Sequence, residues 1–177
     1  MGLFQNFRKA TREKQNSPAG IRSPLTVTAP LTGAVVPMKD IPDPAFAEGI
    51  LGFCVGIEPP EGAGEVLLCS PMDGTVTQCS DTTGHAVGIT SSDGKTAVLL
   101  HAGIDTVEMN GEGFLLHVGE GDPVTAGTPV LTMDTEKIRA AGHPCTVIVI
   151  VTETEIPVRC AVQEMAQAGE ILFTAAE

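Results

Sequence analysis

Twenty glycines and thirteen prolines punctuate this chain of 177 residues, and that punctuation limits its possible folds more than any other feature. Breakers at this frequency suit many short strands and leave little room for a helical bundle. Aliphatic runs lie between them, among them Ala86–Ile89, Ala97–Leu100 and Cys145–Val151. Hydrophobic residues make up 42% of the chain but aromatics only 3%, without Trp or Tyr. The core is therefore built from Val, Ile, Leu, Ala and Met. The length suits one domain with a real core. The expected class is all-β, an antiparallel sandwich or partly closed barrel with one or two short helices.

Charge divides the chain into two parts. Residues 1–24 carry five basic residues against one acidic, a net +4, whereas residues 25–177 carry five basic and 21 acidic, a net −16. The expected domain is therefore 25–177, preceded by a basic leader and linker. A body this acidic is a poor nucleic-acid binder and suits docking to a basic partner. The five cysteines are odd in number and none forms a C-x-x-C pair, which argues for a reducing, cytoplasmic setting and against a disulfide framework or zinc-thiolate site. No apolar run approaches the roughly 20 residues of a membrane span.

Taken in order, residues 1–15 read as an amphipathic helix with Leu3, Phe4, Phe7 and Ala10 on one stripe, a peripheral anchor for an anionic membrane surface or a basic leader without structure. Asn16–Pro24 reads as linker. Pro30-Leu-Thr-Gly33 and Pro71-Met-Asp-Gly74 each precede a strand, a faint internal duplication. Ile41–Glu48 reads as a proline-stiffened loop. A helix is expected over Thr135–Ala141, capped by Asp134 and closed by Gly142. Cys145–Val151 reads as a strand buried on both faces, and Val162–Leu172 as strand or turn.

Two histidines stand out. His101 ends the apolar run Ala97–Leu100, and His85 opens the run Ala86–Ile89. The residues between form a hairpin. A three-residue loop, Ser92–Gly94, sets His85 directly opposite His101. A two-residue Asp93–Gly94 loop gives the other parity and puts the rings on opposite faces. The paired register makes chemical sense of the two imidazoles. His117 and His143 read as structural or solvated.

Residues 101–114, HAGIDTVEMNGEGF, with the upstream TTGHAVGI (82–89) and PDPAFAEGILG (42–52) and the downstream MDTEKIRAAGH (133–143), resemble the glucose-type enzyme IIA (EIIA) of the bacterial phosphoenolpyruvate-dependent sugar phosphotransferase system. The resemblance runs from about Thr26 to Thr174, and the Met-Gly-Leu-Phe start is similar to the free-standing form with its membrane-seeking N-terminal helix. It implies a barrel-sandwich hybrid (duplicated hybrid motif) and reversible phosphoryl transfer, from a histidine of the phosphocarrier HPr to a cysteine of the IIB domain of a sugar permease. It further implies that His101 is phosphorylated on its outer nitrogen, with His85 as its partner. Thr83 hydrogen-bonds His85, and the Gly103 carbonyl holds the inner nitrogen of His101. Asp43 and Asp105 stand at the rim, and Ala45, Phe46, Ile50, Leu51 and Val107 form an apolar docking face. A purely regulatory binding module that reports sugar supply to its targets is an alternative reading, and it would use the same face. No cofactor is implied.

The residue types fit this chemistry. An imidazole attacks phosphorus only when unprotonated, and a reference pKa near 6.5 leaves much of it neutral at cytoplasmic pH. A neighbouring imidazole and apolar walls both disfavour its protonation. The transition state is loose, so positioning and charge neutralisation dominate, and no metal is required. Two other readings compete with this one. A zinc-dependent metallopeptidase-like barrel could use His85 and His101, and adventitious zinc could bridge them, although neither H-x-H nor H-E-x-x-H occurs. A lipoyl-type carrier could use Lys137, but that lysine is better explained as a helix residue.

Overall fold

The computed structural model describes residues 25–162 and 164–175. The readings of residues 1–15 and 16–24 therefore lie outside the described residues. The first strands are β1 (Thr26–Thr28), β2 (Gly33–Pro37), β3 (Phe53–Glu58), β4 (Glu65–Cys69) and β5 (Gly74–Cys79). The hairpin pair is β6 (Ala86–Thr90) and β7 (Ala97–Ala102). Then come β8 (Phe114–Leu116), β9 (Pro123–Val124), β10 (Pro129–Asp134) and β11 (Val147–Glu153). The chain closes with β12 (Val158–Cys160), β13 (Met165–Ala166) and β14 (Ile171–Ala175). Two short α-helices, α1 (Pro44–Ala47) and α2 (Thr135–Ala140), and two 3-10 turns (Met38–Asp40 and Thr106–Met109) complete the described elements. The expected all-β class with one or two short helices is what is found.

Eight strands form one sheet in the order β13-β2-β3-β11-β7-β6-β5-β9, flanked by the three-stranded sheets β1-β14-β12 and β4-β10-β8. The pairings among these strands are antiparallel. The duplication is visible in three dimensions. The two proline loops pair with each other, Thr28 N–H donating to the Pro71 carbonyl (2.7 Å) and Cys69 N–H to the Pro30 carbonyl (3.0 Å). Gly33 and Gly74 occupy matching places: a Cβ on either would lie 2.3 Å from a carbonyl oxygen of the next strand, Glu58 or Thr90. Nothing larger than glycine fits there, which explains the repeated Pro-x-x-Gly.

Strand alternation divides the core in two. Val147, Val149 and Val151 of β11, Val98, Leu100 and Ala102 of β7, and Val87 and Ile89 of β6 point into the main cluster between the sheets. The alternate residues, Ile148 and Ile150, Leu99, Ala86 and Cys54, form a second, smaller cluster with Ile41, Phe46 and Ile104 on the opposite face. Val147–Val151 is thus buried on both faces, as expected for its unbroken β-branched run. By this parity His101 belongs to the second cluster.

Two local expectations change and one holds. The segment around Pro44 is not a loop but the single turn α1. Asp43 caps it, its carboxylate accepting from the N–H groups of Ala45 (2.7 Å) and Phe46 (3.3 Å), with Pro44 in the first helical position. Helix α2 is capped by Asp134 as expected, and Gly142 follows with φ +87°. The hairpin register also differs: Ala86 pairs with His101 and Thr90 with Ala97. The loop is therefore wider than the three-residue turn expected, because Ser91 organises it from the strand end. Ser91 Oγ donates to Asp93 and accepts from Thr96 N–H, which draws Lys95 into the turn.

Candidate functional site

His101 occupies the last full turn of pleat in β7, between Ala86 of β6 and Ile148 of β11. It is only 6% exposed. Phe46, carried by α1, meets its ring edge-on with centroids 5.3 Å apart. The inner nitrogen Nδ1 lies 2.7 Å from the Gly103 carbonyl oxygen. A carbonyl only accepts, so in the neutral ring Nδ1 holds the proton and Nε2 keeps its lone pair. Nε2 makes no hydrogen bond to another described residue. The ring sits among the apolar residues of the second cluster.

His85 and His101 meet with ring centroids 4.8 Å apart and planes at 79°. This happens although the hairpin has the parity that was expected to separate them. His85 lies one residue before β6, where pleat alternation no longer governs direction, and follows Gly84 at φ +58°. Its carbonyl still accepts from Ala102 N–H (2.7 Å), so the backbone is held while the ring swings to the histidine side. Phe114 stacks edge-on at 6.5 Å and also packs where a Gly84 side chain would stand.

Burial first, then the charge of His85, push the His101 pKa down to about 4, against smaller upward pulls from the Gly103 carbonyl and Asp43. Burial likewise lowers His85, opposed in part by the backbone of Thr83. The Thr83 hydroxyl and His85 Nδ1 are both buried without a hydrogen-bond partner. The Thr83 hydroxyl therefore makes no hydrogen bond to His85, and it is the Thr83 backbone that bears on that ring.

The remaining expected residues sort by exposure. Asp43 is half-buried at the helix cap and Asp105 is exposed in a left-handed conformation, φ +58°. Ile50 (69%) and Val107 (46%) are the exposed large hydrophobics on this side, and Ala45 and Leu51 are half-buried. Phe46, expected on the docking face, is buried at 4% as a wall of the hollow. Sequence reasoning missed Ile41, Cys54, Ile104 and Ile148, which are brought together in the second cluster only in three dimensions. No group of three or more His, Cys, Asp or Glu among the described residues is placed to hold a metal. Lys137 lies exposed in the first turn of α2, bridged to Asp134 at 3.7 Å, not on a carrier's hairpin.

Residues 25–156 match the family of the phosphoenolpyruvate-dependent sugar phosphotransferase system, EIIA 1. The chain belongs to this family. It is 42% identical over 130 residues to a PTS system glucose-specific EIIA component of Bacillus cereus, covering 73% of this chain and 75% of that protein. It is also 41% identical over 129 residues to a PTS system beta-glucoside-specific EIIBCA component of Bacillus subtilis, where the match covers 73% of this chain and 20% of the longer protein. The glucose permease IIA of Mycoplasma capricolum superposes with a TM-score of 0.78 at 25% identity, covering 86% of this chain and 96% of that one. As an EIIA, the chain is a phosphotransferase component that works through a phosphohistidine, taking the phosphoryl group from HPr and passing it to a IIB domain. A zinc peptidase is not favoured.

Proposed function

We propose that His101 is the phosphohistidine of this EIIA and that Nε2 is the atom that carries the phosphoryl group. The observation behind this is the hydrogen bond from Nδ1 to the Gly103 carbonyl, which leaves Nε2 of the neutral ring with its lone pair and without a partner among the described residues. In the forward step the P–N bond to the HPr imidazole breaks as the Nε2–P bond forms, with the released electron pair returning to the donor ring. Nδ1 keeps its proton, and the Gly103 carbonyl stabilises the positive character that Nε2 acquires. In the second step a cysteine thiolate of IIB attacks the same phosphorus and His101 leaves neutral. His85, within 4.8 Å ring to ring, donates to the phosphoryl oxygens as charge gathers on them. The backbone of Thr83, which bears on His85, helps orient that ring.

Asp43 and Asp105 repel a bare phosphate, so they serve the protein partner instead, pairing with cations that HPr brings. Ala45, Ile50, Leu51 and Val107 supply the apolar contact. The handover belongs in the cytoplasm, and residues 1–15 would add a peripheral anchor for anionic lipid, a role resting on sequence alone. No helix among the described residues is long and apolar enough to cross a membrane.

The test is incubation with phosphoenolpyruvate, enzyme I and HPr. One acid-labile phosphoryl group should form in the wild type and vanish in His101→Ala; label that persists in this variant would reassign the acceptor. Vesicles with and without anionic lipid test the anchor, and equal binding to both would remove it.

A further inference from the structure

The hydrogen bond that sets the His101 tautomer depends on the orientation of one peptide, that of Gly103. Gly103 is poorly suited to hold itself: its φ is +78°, and glycine has the widest conformational freedom of any residue. Its own N–H donates to the Thr146 carbonyl at 3.1 Å, and Ile104 N–H donates to the Pro144 carbonyl at 3.1 Å. The tightest tie comes from further along. Thr106 Oγ1 donates to the Ala102 carbonyl at 2.6 Å, and Thr106 is wholly buried. The Thr106 methyl lies over Gly103, 2.4 Å from where a Cβ on that glycine would be. One side chain therefore closes the turn from Ala102 to Thr106 and covers the peptide whose carbonyl meets Nδ1.

We propose that Thr106 is a positioning residue for phosphoryl transfer: its hydroxyl, bound to the Ala102 carbonyl, holds the Gly103 carbonyl on His101 Nδ1. Thr106 touches neither reacting atom. It acts by keeping the proton on the inner nitrogen and the lone pair on the outer one. The hydroxyl carries the effect because the turn is closed by that bond. Without it the turn keeps only the two backbone bonds at 3.1 Å, the Gly103 carbonyl is held less firmly on Nδ1, and the ring is freer to place its proton on Nε2, where it blocks attack.

This inference rests on the reading that His101 is the acceptor, but its main readout does not. Nitrogen-15 shifts of the unphosphorylated protein report the His101 tautomer directly, whichever residue carries the phosphoryl group. Thr106→Val keeps the shape and removes the hydroxyl; Thr106→Ser keeps the hydroxyl and removes the methyl. In Thr106→Val the Nε2–H tautomer should appear, the His101 titration midpoint should move, and the initial rate of phosphoryl acceptance from HPr should fall about 10-fold. Thr106→Ser should retain the wild-type tautomer and a rate within about twofold. A Thr106→Val protein that keeps the wild-type tautomer and rate, with or without a lower melting temperature, overturns the proposal. If Thr106→Val does not fold, Thr106→Ser decides. A normal tautomer there supports the hydroxyl, and an altered one assigns the effect to the methyl and overturns it. If the tautomer moves as expected while His101→Ala still accepts phosphoryl, the failure belongs to the acceptor assignment and not to Thr106.

Discussion

Lowering the pH tests whether burial keeps His101, the proposed acceptor, unprotonated. An ordinary imidazole with a pKa near 6.5 is about 3% neutral at pH 5. His101, pushed down to about 4 by burial and by His85, is about 90% neutral at the same pH. The fraction of competent nucleophile therefore differs about 30-fold between the two cases at pH 5 and barely at all at pH 7. The assay is single-turnover transfer from pre-phosphorylated HPr, measured from pH 7 to 5 and divided by the HPr-only hydrolysis background. Ring-carbon NMR titration of His101 runs beside it. A rate that follows the NMR midpoint near 4 is expected. A midpoint near 6.5 would show that the hollow admits water and counter-charge freely, and the account of the buried nucleophile would fail. His85→Gln removes the smaller of the two lowering causes, so the midpoint should rise in that variant yet stay below 6.5.

The same shift has a consequence for stability. Between pH 6.5 and 4 the unfolded chain binds a proton at position 101 that the folded chain refuses. Stability therefore rises with pH across that window and is lost as pH falls through it, by about 3 kcal/mol in all from this residue. Urea unfolding at pH 7, 6 and 5 measures it, with His101→Gln as the flattened control.

Three further outcomes follow from the same geometry. Replacing Asp43 and Asp105 together by Asn should slow phosphorylation by HPr by about tenfold at low salt and flatten its salt dependence; an unchanged rate removes their steering role. Gly103→Ala should cost about 1–3 kcal/mol from the left-handed backbone alone, with further cost from the 2.4 Å approach to Thr106, read as a lower urea midpoint. Cys54 is buried behind Phe46, its thiol donating to the Phe46 carbonyl at 3.4 Å and its pKa raised to about 11 by burial. It should stay unlabelled by maleimide in the native protein, because only the thiolate reacts.

The class of fold was legible because its cause is local: Gly and Pro spacing and β-branched runs act through short-range sterics. Asp134 and Gly142 bounded α2 correctly for the same reason. The hairpin shows where local reasoning stops. Three- and two-residue turns both fit Ser91–Lys95, and the register found depends on hydrogen bonds from Ser91, a residue read as part of the strand boundary. Even the correct parity would have misled, since His85 reaches His101 from outside the ladder. Phe46 illustrates the same limit from the other side. Pro42-Asp43-Pro44 reads as loop chemistry, and a loop offers its apolar residues to partners. Once Asp43 caps a helical turn, the Phe three residues on rotates inward and becomes a wall for His101. Thr106 and Ile148 were not readable, because their importance comes from contacts with residues distant in sequence or from a turn closed only in three dimensions.

On the proposed assignment, the burial that keeps His101 unprotonated also governs how readily it gives the phosphoryl group away. Phosphorylation brings a charge of about −1.5 to −2 into the hollow, against Phe46, Ile41, Ile104 and Ile148, none of which can solvate it. The one side chain on the spot able to compensate is His85, which is neutral before transfer because burial lowers its pKa. Once the phosphoryl group arrives, the opposite charge favours the imidazolium form, so the His85 titration midpoint should rise markedly on phosphorylation. Proton uptake and phosphoryl uptake are then coupled, and by linkage raising the pH should weaken retention of the phosphoryl group. NMR titration of His85 in a phosphorylated sample kept charged by phosphoenolpyruvate, enzyme I and HPr measures the shift. A midpoint that does not move would mean that solvent or the backbone neutralises the phosphoryl group, and that the second histidine is there to shape the hollow and not to balance its charge.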